Sequence, residues 1–387
     1  MIMDGPAAMA DRAPGPATEP WTRREILQQP ATLAATQALL AGAQGSIDAF
    51  LAPLLARPDL RIILAGAGTS AFIGDSLAPG LSRRLGRTVE AIPTTDLVSA
   101  PGLWLRADAP SLLVSFGRSG SSPESLAAAD LVDTMVDEVH HLVITCNAAG
   151  ALARRPVASG QVVVLPDATH DRGFAMTSSF SAMMLAALSI FSGIGSFDAR
   201  AEAIARSVEA ALSTEARAMT LAAQNFERVV YLGSGPLKGL AREAALKLLE
   251  LSDGRIVTMF DSTLGFRHGP KTIVDPRTLV MMFVANDPLT RAYDLDMLAE
   301  LRADNRCGGL VAIAAGSLGD LPGWPDDIAI DGLDRAADDD LMFPMIVPAQ
   351  LFAYHASLRL GLTPDQPNAS GTVNRVVQGV RIHPAIG

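Results

Sequence analysis

The chain has 387 residues, 49% hydrophobic and 19% charged, with 31 Lys and Arg against 41 Asp and Glu for a net charge of −10. This length calls for two or three domains, and this composition excludes a disordered chain. The negative charge argues against a nucleic-acid partner and an anionic membrane surface, but leaves room for one cationic pocket that takes a small anion.

Residues 1–20 carry four prolines among alanines and glycines and read as a flexible tail. A helical segment follows over 21–57. Thr22 serves as N-cap of a helix to Leu40 that Pro30 should break or kink, and a second helix covers Ser46–Ala56. The strand-like run Arg61–Leu64 enters the glycine turn 66–71, and a helix over Asp75–Leu85 follows. Strand, glycine turn and helix in that order open an α/β unit. Strand Leu112–Phe116, helix Pro123–Val136 and strands Leu142–Ile144 and Val162–Leu165 come next. Gly173–Phe197 has no charge but seven Ser or Thr, and reads as a buried helix rather than a membrane span. Ala201–Asn225 is an alanine-rich helical connector.

The pattern then repeats. The turn Gly233-Ser234-Gly235-Pro236 lies 167 residues after the first glycine turn, and Leu279–Phe283 lies 167 after Leu112–Phe116. Leu310–Ile313 lies 168 after Leu142–Ile144, and Ile328–Ile330 echoes Val162–Leu165. Helical patterns over Leu237–Leu251 and Thr290–Leu301 alternate with these strands. Order and offset hold together, so the chain reads as a tandem duplication. Two α/β units are expected, over 58–205 and 206–387, each a mostly parallel sheet between helices.

Gly66, Gly68 and Ala71 fit G-x-G-x-x-G/A, with Glu90 downstream, which alone would suggest a nicotinamide dinucleotide. The loop Ser115–Ser125 argues for a different ligand. It brings Arg118, Ser119, Ser121 and Ser122 to a helix N-terminus, where N–H groups, hydroxyls and a guanidinium suit a phosphate monoester. Gly68, Thr69 and Ser70 add a second loop from the neighbouring strand. A serine-hydrolase elbow is excluded, because Ser121 stands where G-x-S-x-G needs its second glycine. Moving a proton between two carbons of a sugar phosphate needs a carboxylate base and an acid near the ring oxygen. Glu250, three residues after Lys247 on one helix face, and His268 in the loop Thr263–Lys271 are the candidates. A solvated Glu–Lys pair and a surface histidine are equally open readings of these residues. Cys146 and Cys307 form neither a disulfide framework nor a zinc set, so a reduced, cytoplasmic setting is expected.

The segments GAGTSAFIGD (66–75), SFGRSGSSPES (115–125), THDRGFAMTSS (169–179), ALKLLEL (245–251), GFRHGPK (265–271) and SGTVNRVVQGV (370–380) together resemble the tandem sugar-isomerase (SIS) family. Within it they are similar to the galactosamine-6-phosphate deaminase/isomerase branch, also labelled tagatose-6-phosphate ketose/aldose isomerase. The resemblance runs from about Trp21 to Pro384. It implies two flavodoxin-like SIS subdomains, the second ending in an active-site loop, and a homodimer or dimer of dimers with a shared active site. It implies no cofactor. Phosphate and sugar contacts fall on Gly68, Thr69, Ser70, Arg118, Ser119, Ser121, Ser122 and Thr177, with Lys247 near the sugar. Proton transfer between C2 and C1 falls on Glu250. Ring opening falls on His268, reaching across from a neighbouring subunit. Arg267 and Arg375 are further candidate cations. The glutamine-dependent synthase relatives carry a catalytic lysine where Pro367–Val377 has none, which argues against amination from glutamine. The implied reaction converts galactosamine 6-phosphate to tagatose 6-phosphate and ammonia. Aldose/ketose isomerisation without ammonia release, glucosamine-6-phosphate deamination and non-catalytic sugar-phosphate sensing are the alternatives.

Overall fold

The computed structural model describes residues 19–318, 326–375, 377 and 379–383. The expected flexible tail lies, up to residue 18, outside them. Two helices lead in, α1 (Trp21–Leu27) and α2 (Gln29–Leu55). The first unit follows as β1 (Arg61–Ala65), α3 (Thr69–Leu85), β2 (Val89–Ala91), α4 (Thr94–Ser99), α5 (Pro101–Trp104), β3 (Ser111–Gly117), α6 (Pro123–Met135), β4 (Val139–Thr145), α7 (Ala151–Arg154) and β5 (Gly160–Val164). Three helices then connect: α8 (Ser178–Ser192), α9 (Ile194–Leu212) and α10 (Glu215–Ala222). The second unit is β6 (Arg228–Leu232), α11 (Pro236–Leu251), β7 (Val257–Asp261), β8 (Thr278–Val284), α12 (Pro288–Asp304), β9 (Gly309–Ala315), β10 (Ile328–Ile330) and α13 (Asp338–Arg359).

Both sheets are wholly parallel and share one strand order. The first runs β2-β1-β3-β4-β5 and the second β7-β6-β8-β9-β10. Parallel strands covered on both faces need near-continuous apolar runs. β8 and β9 are buried at every position. The duplication is thus structural as well as sequential. β1 and β6 begin 167 residues apart, at Arg61 and Arg228, and β3 and β8 begin 167 apart, at Ser111 and Thr278. The glycine turns match atom for atom in their constraints. Gly68 and Gly235 hold φ of 57° and 56°, where a side chain is strained. At Gly66 a Cβ would stand 2.6 Å from the Ser70 backbone, and at Gly233 it would overlap the Leu237 carbonyl. These paired glycines let each helix start directly against its strand.

One apolar core runs through both units. Helix α8 is buried along nearly its whole length, as the uncharged segment predicts. Helix α13 is apolar and long enough to cross a membrane, but 89% of that stretch is buried inside the protein. It packs on α9, α10 and α11.

Three expectations change. The chain breaks at Gln28, before Pro30, and α2 then continues unbroken to Leu55 in place of two helices. Pro30 lies in the first turn of α2, where a missing N–H costs nothing. Thr22 does not cap its own helix. The carboxylate of Asp365 accepts the N–H groups of Trp21 and Thr22 and the Thr22 hydroxyl, each at 2.8 Å. The stretch Ala201–Asn225, expected as one helical connector, is the end of α9 and the whole of α10, and the expected division at 205/206 falls inside α9.

The glycine turns generate a stability prediction. Gly233→Ala forces backbone overlap and should lower stability by ~1–3 kcal/mol. Gly42→Ala, on exposed α2 with open space around it, should raise it by ~0.5–1 kcal/mol. Denaturant midpoints measure both.

Candidate active site

Neighbouring strands β1 and β3 pair in register from Arg61↔Ser111 to Ala65↔Ser115, so their carboxyl ends open side by side. The crossovers leave these two strands in opposite directions, which creates a crevice at the switch of strand order. A cavity of about 240 Å³ fills it, suited to a small metabolite. Thr69 and Ser70 reach it from the first turn of α3. Arg118, Ser119 and Ser122 reach it from the loop into α6, and Gly68 lies in the turn between. Ser122 caps α6, its Oγ accepting the Ser125 N–H at 3.4 Å and donating to Ser125 Oγ at 2.6 Å.

Arg118 carries the charge of this pocket. It is only 6% exposed. Its guanidinium donates to two carbonyl oxygens, those of Arg375 at 2.7 Å and Phe174 at 3.4 Å. Its Nε is buried without a hydrogen-bond partner among the described residues. Burial, and then the neighbouring Arg375, lower its pKa. A buried guanidinium held by neutral carbonyls and facing a cavity calls for an anion there.

Helix α11 forms the opposite wall. Glu243, Lys247 and Glu250 fall at i, i+4 and i+7, on one face. Glu250 lines the cavity. Lys247 Nζ donates to Glu250 Oε2 at 2.6 Å and to Thr69 Oγ1 at 2.9 Å, and stands 3.5 Å from Glu243 Oε1. Thr69 donates onward to Glu243 Oε1 at 3.2 Å. Lys247 and Glu243 are fully buried. Burial pushes the Glu243 carboxyl up to about 8, with Lys247 pulling against it and Glu250 adding to the rise. Burial lowers the Lys247 ammonium, but the carboxylates of Glu243 and Glu250 outweigh it and its pKa is raised.

The C-terminal segment closes the pocket. Arg375 lines it with Asn374 and Val373, and Arg375 Nη1 donates to the Arg172 carbonyl at 2.8 Å.

Five expected residues are not brought into this cavity. Lys247 lies behind Thr69 and Glu250, so it positions them rather than meeting a sugar directly. Ser121 Oγ accepts the Ala151 N–H at 3.1 Å and so serves the start of α7. Thr177 is buried at the head of α8, its N–H donating to Asp171 at 2.7 Å. Arg267 pairs with Glu300 at 2.8 Å. His268 is exposed in its loop, away from the cavity walls. Sequence reasoning missed Glu243, although a carboxylate four residues before Lys247, on the same helix face, was a signal. It also missed Phe174 and Met176, cavity-lining apolar side chains that carry no chemical signature.

Comparison with known proteins adds to this geometry. The SIS domain family matches residues 54–192. The chain is 47% identical over 372 residues to D-galactosamine-6-phosphate deaminase AgaS of Escherichia coli, covering 95% of this chain and 97% of the relative. It is 43% identical to the protein of the same name from Shewanella sp., covering 95% and 92%. The chain belongs to the SIS family. The structure of tagatose-6-phosphate ketose/aldose isomerase from Escherichia coli superposes with a TM-score of 0.85 at 42% identity, over 94% of this chain and 96% of that one. The two parallel five-stranded sheets are the SIS fold in tandem, and the crevice between β1 and β3 belongs to the first of them.

The buried carboxyl of Glu243 generates a pH prediction. Its pKa rises from 4.5 to about 8 on folding, so between those values the folded state holds a proton that the unfolded chain has lost. Its contribution is full below 4.5 and disappears as pH rises through about 8. Glu243→Gln should therefore flatten the decline of stability between pH 5 and 8, measured by denaturant titration at several pH values.

Proposed function

We propose that this chain converts galactosamine 6-phosphate to tagatose 6-phosphate and ammonia. The observation that carries the reading is Glu250. Its carboxylate lines the same small cavity as Arg118, Ser119 and Ser122, and Lys247 holds it at 2.6 Å. A phosphate fits the hydroxyl loops and the guanidinium, and a carboxylate fixed across the cavity suits a proton transfer.

The reaction then runs in balanced steps. With the sugar ring open, Glu250 takes the proton from C2 as the aldehyde oxygen O1 gains a proton, giving an enolamine. It returns the C2 proton to C1 as the amine gives up one of its own protons, which leaves an imine at C2. Water adds to the imine carbon and ammonia departs, leaving the ketose phosphate. Lys247 keeps Glu250 oriented and offsets the negative charge that develops beside it. His268 supplies the acid at the ring oxygen. Since His268 lies in an exposed loop, we assign that role to His268 of a second copy, in a homodimer. Leu249 on α11, Val257 on β7 and Leu264 beside the His268 loop are exposed apolar side chains that suit such a contact.

The name of the Escherichia coli structure favours a second reading, aldose/ketose isomerisation of tagatose 6-phosphate without ammonia release. Ammonia measured alongside ketose formation, from galactosamine and glucosamine 6-phosphates in parallel, separates the readings. Stoichiometric ammonia from the galacto substrate is expected, and ketose formation without ammonia would sink the deaminase reading. Glu250→Gln should lower kcat by ~10²–10⁴ while leaving KM within a few-fold.

The shared site has its own test. Glu250→Gln and His268→Asn should each be inactive as pure proteins. Mixed, unfolded and refolded together, they should regain about a quarter of wild-type activity, the share of intact sites that random pairing yields in a dimer. An active His268→Asn protein would place His268 outside the site, and no recovery from two inactive proteins would place both residues in one subunit's site.

A further inference from the structure

Duplication gives the second sheet its own crevice, at the carboxyl ends of β6 and β8. A cavity of about 970 Å³ opens there, walled by α3 as the first cavity is walled by α11. Its charges are arranged in the opposite sense. The helix after β8 is capped by the carboxylate of Asp287, which accepts the Thr290 N–H at 3.0 Å, where the first unit uses Ser122. The backbone N–H groups of Asn286 and Asp287 already donate to Asp338 Oδ1, at 2.6 and 3.3 Å. The loop position that suits an anion in the first crevice is therefore filled by the protein's own carboxylates. On the facing helix, residues 80 and 83 stand 167 before Lys247 and Glu250, and they are Gly80 and Arg83. The second crevice thus has no counterpart of the base and its lysine, and Arg83 and Arg84 stand exposed on its wall instead.

Asp339 is the feature that asks for a ligand. It lines this cavity and is only 7% exposed. It makes no hydrogen bond and no ion pair among the described residues. Arg200, Arg84 and Arg83 act on it only from beyond contact distance, and Arg200 is engaged by Asp340 at 2.6 Å. The Asp339 carboxylate stands against Gly80 of α3 and keeps access to the cavity, and a ligand that donates to it adds hydrogen bonds that the protein's own side chains do not supply. Among the described residues no group of three or more His, Cys, Asp or Glu side chains is placed to hold a metal ion. An organic cation suits Asp339 as a donor, and the guanidiniums of Arg83 and Arg84, further along the same α3 wall, suit its anionic end.

We propose that this second crevice is a non-catalytic binding site for a phosphorylated amine, with the ammonium on Asp339 beside Asp338 and the phosphate on Arg83 and Arg84. The site goes beyond the reaction assigned to the first crevice and does not depend on it.

Calorimetric titration of the full chain carrying Glu250→Gln with galactosamine 6-phosphate tests the proposal. One binding event should be lost when Arg83→Ala and Arg84→Ala are added together, and the same event should be lost with Asp339→Asn. The arginines are exposed, so their variant decides the matter if Asp339→Asn does not fold. Galactose 6-phosphate, which lacks the amine, and galactosamine, which lacks the phosphate, should each bind at that event at least about tenfold more weakly. An event lost with the arginines supports the proposal even if the first cavity binds nothing, which separates it from failure of the deaminase reading. An isotherm unchanged by the arginine variant overturns the proposal, as does galactose 6-phosphate binding that event as tightly as the amine.

Discussion

The ammonium of Lys247 is out of water, and everything at the first crevice is arranged around it. A buried cation is tolerable only when its partners are close and well aligned. Here they are Glu250 and Glu243 from its own helix and Thr69 from the other unit. Two of those partners come with the sequence of α11. The third obliges α11 to lie against the start of α3. One ammonium thus couples the relative placement of the two units to the aim of the carboxylate that faces the cavity. Arg242 on α11 and Asp75 on α3, paired at 2.6 Å, reinforce the same contact at positions 167 residues apart.

That contact also explains how two copies of one unit came to differ. Each crevice borrows a helix from the other unit as its wall. A change at Gly80 or Arg83 on α3 therefore alters the second crevice without touching the first, and a change at Glu250 on α11 does the reverse. Lysine and glutamate stand on α11 beside one crevice, while glycine and arginine occupy the matching places on α3 beside the other. Both copies contribute to the core, but the two crevices carry different charges.

Much of this was legible in the sequence. The strands at Leu112, Leu142, Leu279 and Leu310 announce themselves because central parallel strands must be apolar on both faces. The edge strands β2 and β7 did not, since Val89–Ala91 is three residues long and Val257–Asp261 is only half-buried. Helix α13 carries Pro344 and Pro348, residues that ordinarily interrupt a helix, inside one continuous run. At the site, Arg118, Ser119 and Ser122 were readable because the loop that brings them to the cavity is one short stretch of sequence. Lys247's partner Thr69 was not, because a hydrogen bond spanning 178 residues leaves no periodicity. The same holds for Asp339, whose isolation is a property of its surroundings and not of its neighbours in the chain.

The carboxylate that starts helix α1 belongs to a residue 343 positions further along. A ribosome delivers the chain from its first residue, so α1 is made early and finished late. Until residue 365 emerges, the first N–H groups of that helix have only water to bond. Ten residues on, the same segment carries Arg375 to the first cavity and gives Arg118 its carbonyl partner. Completing the N-terminal helix and enclosing the first cavity therefore both wait for the C-terminal segment, and a chain still on the ribosome has neither.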